Sequence, residues 1–342
     1  MNTTWQQKLK SLGYSLDEQG QAQLAAPGSE AGIVPLSHQR IIRIQGPDTE
    51  KFLQGQLSCD IADVDRIGSR LGAHCNIKGH MISLFRVMKR DPETFWLRTD
   101  AGLLDKALAT IRKYILFSKA DADPADELVG IGLFGPHAVE LARRVVAEPP
   151  TDTDAVVNEG NRLLVRVPGN RFECWLPADD AVTLIDTLLT GAGAAGADSW
   201  LLEEIRAGIP DLRPDTSESF IPQMTNLQVY AGVSFAKGCY TGQEVVTRLQ
   251  HRGILKKPMY RAAVTTDSRP QPGQMLHTAE KENVGEVVVA APADNGRYEL
   301  LAVISKEQAE NHPILFGERD GPQLELLELP YQLDPRLFES KR

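Results

Sequence analysis

The alternation of apolar and polar positions divides the chain into short strand-like runs and helical stripes of 3.6-residue spacing. Ile41–Gln45 reads as a strand stopped by Gly46-Pro47-Asp48. Phe52, Leu53 and Leu57 then form one apolar helical face, with Asp48 as a candidate cap. A hairpin follows: a strand near Arg70–Cys75, the turn Asn76-Ile77-Lys78-Gly79 and a return strand Met81–Met88. Thr94–Arg98 predicts another strand, and Asp100 can cap a helix carrying Leu103, Leu104, Leu108, Ile111 and Ile115.

The same order then returns. Strand Leu128–Phe134 meets Gly135-Pro136-His137 and a helix through Val139, Leu141 and Val145. A hairpin, Leu163–Val167 and Phe172–Leu176, turns at Pro168-Gly169-Asn170. After Asp179 and Asp180 comes a helix carrying Val182, Leu184, Ile185 and Leu188. The pattern strand–Gly-Pro–helix–hairpin–helix thus occurs twice and predicts two α+β units. Two such units facing each other would leave a cleft, a common place for a ligand; chance recurrence of the pattern is the alternative.

Before the first copy lie a short helix (Trp5–Leu12) and a linker with Pro27, Gly28 and Pro35. After the second, Gly191–Ala197 reads as a flexible connector and Trp200–Arg206 as a helix ended by Gly208 and Pro210. Residues 211–234 are mostly loop. Beyond Arg252-Gly253 the runs Tyr260–Val264, Val284–Ala290, Glu299–Val303 and Leu324–Leu327 predict a small all-β domain. A length of 342 residues calls for two or three domains, with divisions expected at 1–125, 126–252 and 253–342.

Composition narrows the classes. With 42% hydrophobic and 24% charged residues the chain is an ordinary globular one, and no apolar run approaches membrane-spanning length. A net charge of -9 argues against a broad nucleic-acid surface, though not against a local basic patch. Cys59, Cys75, Cys174 and Cys239 are scattered, which suggests neither zinc spacing, nor a disulfide framework, nor a clustered iron–sulfur ligand set. Met1–Tyr14 lacks a signal core, and the simplest expected location is a reducing bacterial cytoplasm.

The densest chemistry is Phe235-Ala236-Lys237-Gly238-Cys239-Tyr240-Thr241-Gly242-Gln243-Glu244. Gly238 and Gly242 permit a tight turn or close backbone approach. A cation near a thiol favours the thiolate, which makes Cys239 beside Lys237 a candidate nucleophile or redox group. The same residues also fit a glycine-rich loop entering a helix, with Cys239 a small buried hydrophobe.

The run Lys237-Gly238-Cys239-Tyr240-x-Gly242-Gln243-Glu244 resembles the signature of the YgfZ family, folate-binding proteins related to the aminomethyltransferase (T-protein) of the glycine cleavage system. The resemblance covers most of residues 35–330. It implies an α+β cloverleaf: two ferredoxin-like units of the T-protein type around a central cavity, plus a C-terminal β-barrel. It also implies tetrahydrofolate, or a one-carbon-substituted folate, as ligand. Iron–sulfur client proteins would be the partners, tRNA-modifying enzymes among them, and Cys239 the key thiol, with Lys237 and Tyr240 beside it and Gln243 and Glu244 shaping the wall.

Further residues carry expectations for the folate. Gln223 and Asn226, in Ile221-Pro222-Gln223-Met224-Thr225-Asn226-Leu227, can donate and accept hydrogen bonds to a pterin edge or merely satisfy loop backbone. Gln54-Gly55-Gln56-Leu57-Ser58-Cys59-Asp60 resembles the family's glutamine-rich helix end, so Gln56 is a candidate, with Ser58 and Cys59 replacing the usual threonine and asparagine. Asn76 lies in a turn resembling the one that borders the cavity, where His80 stands for the usual arginine. Relatives carry a pterin-contacting glutamate two residues before Gly208; here Arg206 holds that place, and Glu204 or Glu203 can substitute. Arg252, among Arg248, His251, Lys256 and Lys257, is a candidate for folate's glutamate carboxylates or part of a solvated connector. No metal site is expected. The alternative function is a folate-dependent aminomethyltransferase or demethylase. That chemistry needs an acceptor such as aspartate, which the turn Asn76–Gly79 lacks.

Overall fold

The computed structural model describes residues 2–17, 20–24 and 31–339. Pro27 and Gly28 of the expected linker lie outside the described residues, whereas Pro35 closes a strand. The elements begin with α1 (Thr3–Ser11), β1 (Tyr14–Leu16), β2 (Ala22–Leu24), β3 (Gly32–Pro35), β4 (Gln39–Gln45), α2 (Thr49–Gln56) and α3 (Ile61–Ile67). There follow β5 (Ser69–Cys75), β6 (Met81–Asp91), β7 (Thr94–Asp100), α4 (Leu104–Ile115), β8 (Asp121–Pro124), β9 (Leu128–Phe134) and α5 (Ala138–Ala142). Next come β10 (Val156–Glu159), β11 (Arg162–Val167), β12 (Arg171–Pro177), α6 (Ala178–Leu189), β13 (Gly193–Ala194), α7 (Ala197–Arg206) and α8 (Gln243–Arg252). The chain closes with β14 (Met259–Thr265), β15 (Met275–His277), β16 (Gly285–Pro292), β17 (Arg297–Ile304), α9 (Lys306–Asn311), β18 (Leu315–Phe316) and β19 (Glu325–Leu327).

Two compact units result. The first comprises Met1–Gln54, Asp60–Leu71 and Phe85–Trp200; the second comprises Gly55–Cys59, Gly72–Leu84 and Leu201–Arg342. The first unit holds most of both copies of the repeated pattern; the end of α2 and the tip of the β5–β6 hairpin belong to the second. One copy builds on the sheet β5-β6-β7-β4-β8 and the other on β10-β11-β12-β9-β3-β13. In each, the glycine of the Gly-Pro pair has a positive φ, 138° at Gly46 and 91° at Gly135, so the strand turns sharply toward its helix. Strand β9 is buried throughout because its sheet is covered on both faces. Val129, Ile131 and Leu133 meet α1, α5 and α6, while Leu128 and Phe134 join Trp175 and Trp200 on the other face. Gly130 and Gly132 leave that second face bare, and a methyl there would lie 2.7 Å from the rings of Trp175 and Trp200. Buried charges tie the copies together. Arg86 pairs with Asp154 at 2.6 Å, Arg70 with Asp154 at 2.9 Å, and Arg98 approaches Glu173 at 3.5 Å.

Three expectations are corrected. Asp48 does not cap α2: its carboxylate accepts from the backbone N–H of Lys119 at 2.8 Å, because Gly46 turns the corner against that segment. Gly191–Ala197 is no free connector, since β13 within it pairs in parallel with β3, and Ala195 and Ala197 are buried. Asp179 and Asp180 lie inside the first turn of α6, where carboxylates favour the positive end of the helix dipole. Asp100 does cap, accepting from Gly102 N–H at 2.8 Å.

In the second unit the C-terminal residues form one antiparallel sheet, β18-β15-β16-β17-β14-β19, curled into a half-barrel. Val264, Leu276, Val287, Leu300, Ala302, Ile304 and Phe316 are among the residues filling its concave core. The fold class is mixed α+β with a C-terminal β domain, as expected.

Candidate functional site

Every candidate site residue falls in the second unit. Three chain segments build the site there: the end of α2 through Cys59, the hairpin tip of β5 and β6, and the loop running into α8. Ser58 knits the first to the others. Its hydroxyl donates to Gly232 O at 2.5 Å and accepts from Ala73 N–H at 2.8 Å, and its carbonyl accepts from Ser234 N–H at 2.8 Å.

Lys237 then fastens the signature loop to the same segment. Its buried ammonium donates to Leu57 O at 2.8 Å and to Cys59 O at 2.7 Å, and it stands 5.2 Å from the ring centre of Tyr240. Carbonyl dipoles and an aromatic face replace the water this cation gives up. The short sequence spacing to Cys239 singled Lys237 out; its geometry is that of a clamp on α2's end.

Gly242 fastens the loop's other end. It is left-handed (φ 82°) and precedes the first residue of α8. A methyl there would press into the Asn76 carbonyl oxygen and lie 3.0 Å from Cys75 Cβ and 3.1 Å from Gly79 Cα. Gly79 (φ 77°) in turn sits against Val245, whose Cβ would lie 3.0 Å from an added methyl. Asn76 holds the hairpin tip itself: its side-chain oxygen accepts from Lys78 N–H at 2.9 Å and His80 N–H at 3.1 Å, and its amide donates to Glu218 at 2.8 Å. Gly238, by contrast, has open space where a side chain would project.

Cys239 is exposed on this doubly anchored loop, while Cys59, Cys75 and Cys174 are buried. Burial pushes the Cys75 and Cys174 thiols up to about 12. Tyr240 is buried, its phenol pushed up by burial and then by the nearby Cys75 and Cys59. Among the described residues its hydroxyl has no hydrogen-bond partner. Gln243 opens α8, and Glu244 pairs with Arg248 at 2.6 Å on the solvent face of that helix.

The remaining candidates divide into two groups. Gln223 is fully buried; its amide donates to Val246 O at 2.6 Å, and among the described residues its side-chain oxygen lacks a partner, as does the buried oxygen of Gln56. Glu204 on α7 is 7% exposed. A folded chain rarely leaves buried acceptors unpaired without a ligand or water to pair them. The amino and ring N–H donors of a reduced pterin have the chemistry to pair the Gln56 and Gln223 oxygens, and Glu204 is a buried carboxylate of the same acceptor character. Asn226 serves the scaffold, because its amide donates to Met259 O at 2.9 Å and to Tyr331 at 3.3 Å and so ties the loop to β14. Arg206 is held by Glu203 and Glu299, each at 3.2 Å, and Arg261 also grips Glu299 at 2.6 Å. Arg252 is exposed at the last turn of α8. Sequence reasoning missed the tying roles of Ser58, Ser234 and Glu218; Ser58, in the glutamine-rich segment, was the one with a visible signal. Among the described residues, no helix is long and apolar enough to cross a membrane, and no group of three or more His, Cys, Asp or Glu could hold a metal ion.

Comparison with known proteins gives this geometry a context. A family model described as the GCVT N-terminal domain matches residues 14–158. The glycine cleavage system aminomethyltransferase T of Bartonella henselae shares the fold, with a TM-score of 0.71 at 19% identity over 88% of this chain and 86% of that one. The tRNA-modifying protein YgfZ of Klebsiella pneumoniae (strain 342) is 35% identical, covering 88% of this chain and 93% of the relative. That of Pectobacterium atrosepticum is 32% identical, covering 94% and 97%. With this identity sustained over nearly the full length of both relatives, the chain belongs to the YgfZ family.

Proposed function

We propose that this protein binds tetrahydrofolate, or a one-carbon-substituted folate, and supports the assembly or repair of iron–sulfur enzymes in the cytoplasm, tRNA-modifying enzymes among them, with Cys239 as its working thiol. The observation that carries the reading is the contrast among the cysteines: three are buried, and the one in the family signature is exposed on a loop anchored at both ends. Gln56, Gln223 and Glu204 would hold the pterin, whose reduced ring supplies one-carbon or redox chemistry when bound. Asn76 keeps the hairpin tip in shape beside the loop, and Asn226 keeps the loop on the β domain. Arg252, exposed and in the basic turn, would meet the glutamate tail.

In this reading the Cys239 thiolate attacks a client disulfide, forming a mixed disulfide and releasing the second client sulfur as thiolate. The aminomethyltransferase alternative finds less support. The turn 76–79 offers an amide where a proton acceptor is needed, and that amide's oxygen already accepts two backbone N–H groups. The test is complementation of a deletion strain. Cys239→Ala should fold, bind tetrahydrofolate as the wild type does, and fail to restore iron–sulfur enzyme activity. Full restoration by that variant would remove the thiol from the mechanism. Loss of tetrahydrofolate binding in a Gln56→Leu, Gln223→Leu double variant, with the fold retained, tests the pterin assignment; unchanged affinity would refute it.

A further inference from the structure

The second unit contains a cleft of about 300 Å³ that the folate and thiol chemistry leaves unused. That volume is at the lower end of small-molecule sites. Its floor is one row across the C-terminal sheet, because Met275 pairs with Glu286 and Glu286 with Val303 in register. Cross-strand partners project to the same face, so the three side chains lie side by side. Phe220 and Met224, from the loop before the signature, supply a further wall, and Lys257 contributes from the connector into β14. The wall is fixed, since Met81 N–H donates to Phe220 O and Glu218 N–H to Met81 O, both at 2.8 Å.

The chemistry of this lining is specific. Glu286 is a carboxylate between two apolar neighbours on a sheet, with Ser219 and Lys257 as its polar neighbours. Burial raises its protonation tendency, and a hydrogen bond from Ser219 and the charge of Lys257 only offset this. Met275 remains 42% exposed at the cleft, an unbranched side chain able to fold onto a guest. One anion, one cation and four apolar side chains therefore face a common space.

We infer that this cleft binds a free α-amino acid with an apolar side chain. The ammonium pairs with Glu286, the carboxylate with Lys257, and the side chain lies among Phe220, Met224, Met275 and Val303. Neither an amine nor a carboxylic acid alone satisfies both charges, and glycine leaves the apolar wall uncovered.

L-leucine is the probe. Titration calorimetry on the full chain should give saturable heat with leucine. Affinity should fall by about tenfold or more for 4-methylpentanoate and for 3-methylbutylamine, each of which lacks one charged group. Glu286→Gln and Lys257→Met should each weaken leucine by about tenfold while melting like the wild type. Methyl-¹³C labelling of methionine gives a second readout: the Met224 and Met275 signals, assigned by Met→Leu variants, should move with leucine. No saturable heat up to about 10 mM leucine overturns the inference. So does leucine binding that both charge variants leave unchanged, or 3-methylbutylamine binding as tightly as leucine. Cys239→Ala should not alter leucine binding, which separates this site from the thiol's.

Discussion

The two glycines of the signature make a sharp experiment because the structure assigns them opposite tolerances. Gly242→Ala puts a methyl on a residue at φ 82°, a region that costs an L-residue about 1–2 kcal/mol. The same methyl meets the Asn76 carbonyl oxygen, Cys75 Cβ at 3.0 Å and Gly79 Cα at 3.1 Å. None of these is the loose end of a flexible side chain, so the loop must lift from the hairpin tip, and overpacking of this kind costs about 1–3 kcal/mol more. The sum is about 2–5 kcal/mol. At about 2–4 °C per kcal/mol, the melting midpoint of the second unit should fall by about 4–20 °C. Gly238→Ala meets no atom within 4 Å and sits outside the positive-φ region, so its midpoint should move by less than about 2 °C. The assay is thermal denaturation of both variants beside the wild type, with complementation in parallel. A Gly242→Ala protein that melts with the wild type, or a Gly238→Ala protein that melts well below it, would refute the reasoning from close approach.

Other outcomes follow from the same geometry. Lys237→Met strips two carbonyls, Leu57 O and Cys59 O, of their charged donor, and unfolding in urea should show a loss of about 2–4 kcal/mol. Maleimide should label one cysteine in the native protein, Cys239, and all four after denaturation, as mass spectrometry can count. His74 is fully buried, and desolvation lowers its folded pKa from 6.5 to about 4. Below pH 6.5 the unfolded chain therefore binds a proton the folded chain refuses. Its contribution, about 3 kcal/mol, is complete above pH 6.5 and is lost as pH falls toward 4. The difference in urea midpoints between wild type and His74→Leu, followed from pH 4.5 to 7.5, should carry that slope; a flat difference would exclude it.

Much of the scaffold was legible because local patterns agree with it. The two Gly-Pro corners, the hairpins around Asn76 and Asn170, and the Asp100 cap each rest on residues a few positions apart. The failures came where a distant partner overrides local preference. Gly191–Ala197 has the composition of a linker, yet part of it is a strand because β3 offers it an edge. Asp48 has the position of a cap, but Lys119 presents a nearer donor. In the site, the signature's reactive and glycine positions could be read directly, and the partners of Lys237 could not. Its two acceptors stand 180 and 178 residues upstream, and backbone carbonyls leave no mark in a side-chain alphabet.

The ion-pair cluster around Glu299 constrains how this protein can change. The resemblance to T-protein relatives leads one to expect an acidic residue at position 206; here a guanidinium fills it, and Glu299 on β17 has settled between Arg206 and Arg261. An acidic residue at 206 would be crowded against Glu203 and Glu299 and would strip Glu299 of half its compensation. A change of sign at 206 is therefore coupled to compensating changes on both α7 and β17.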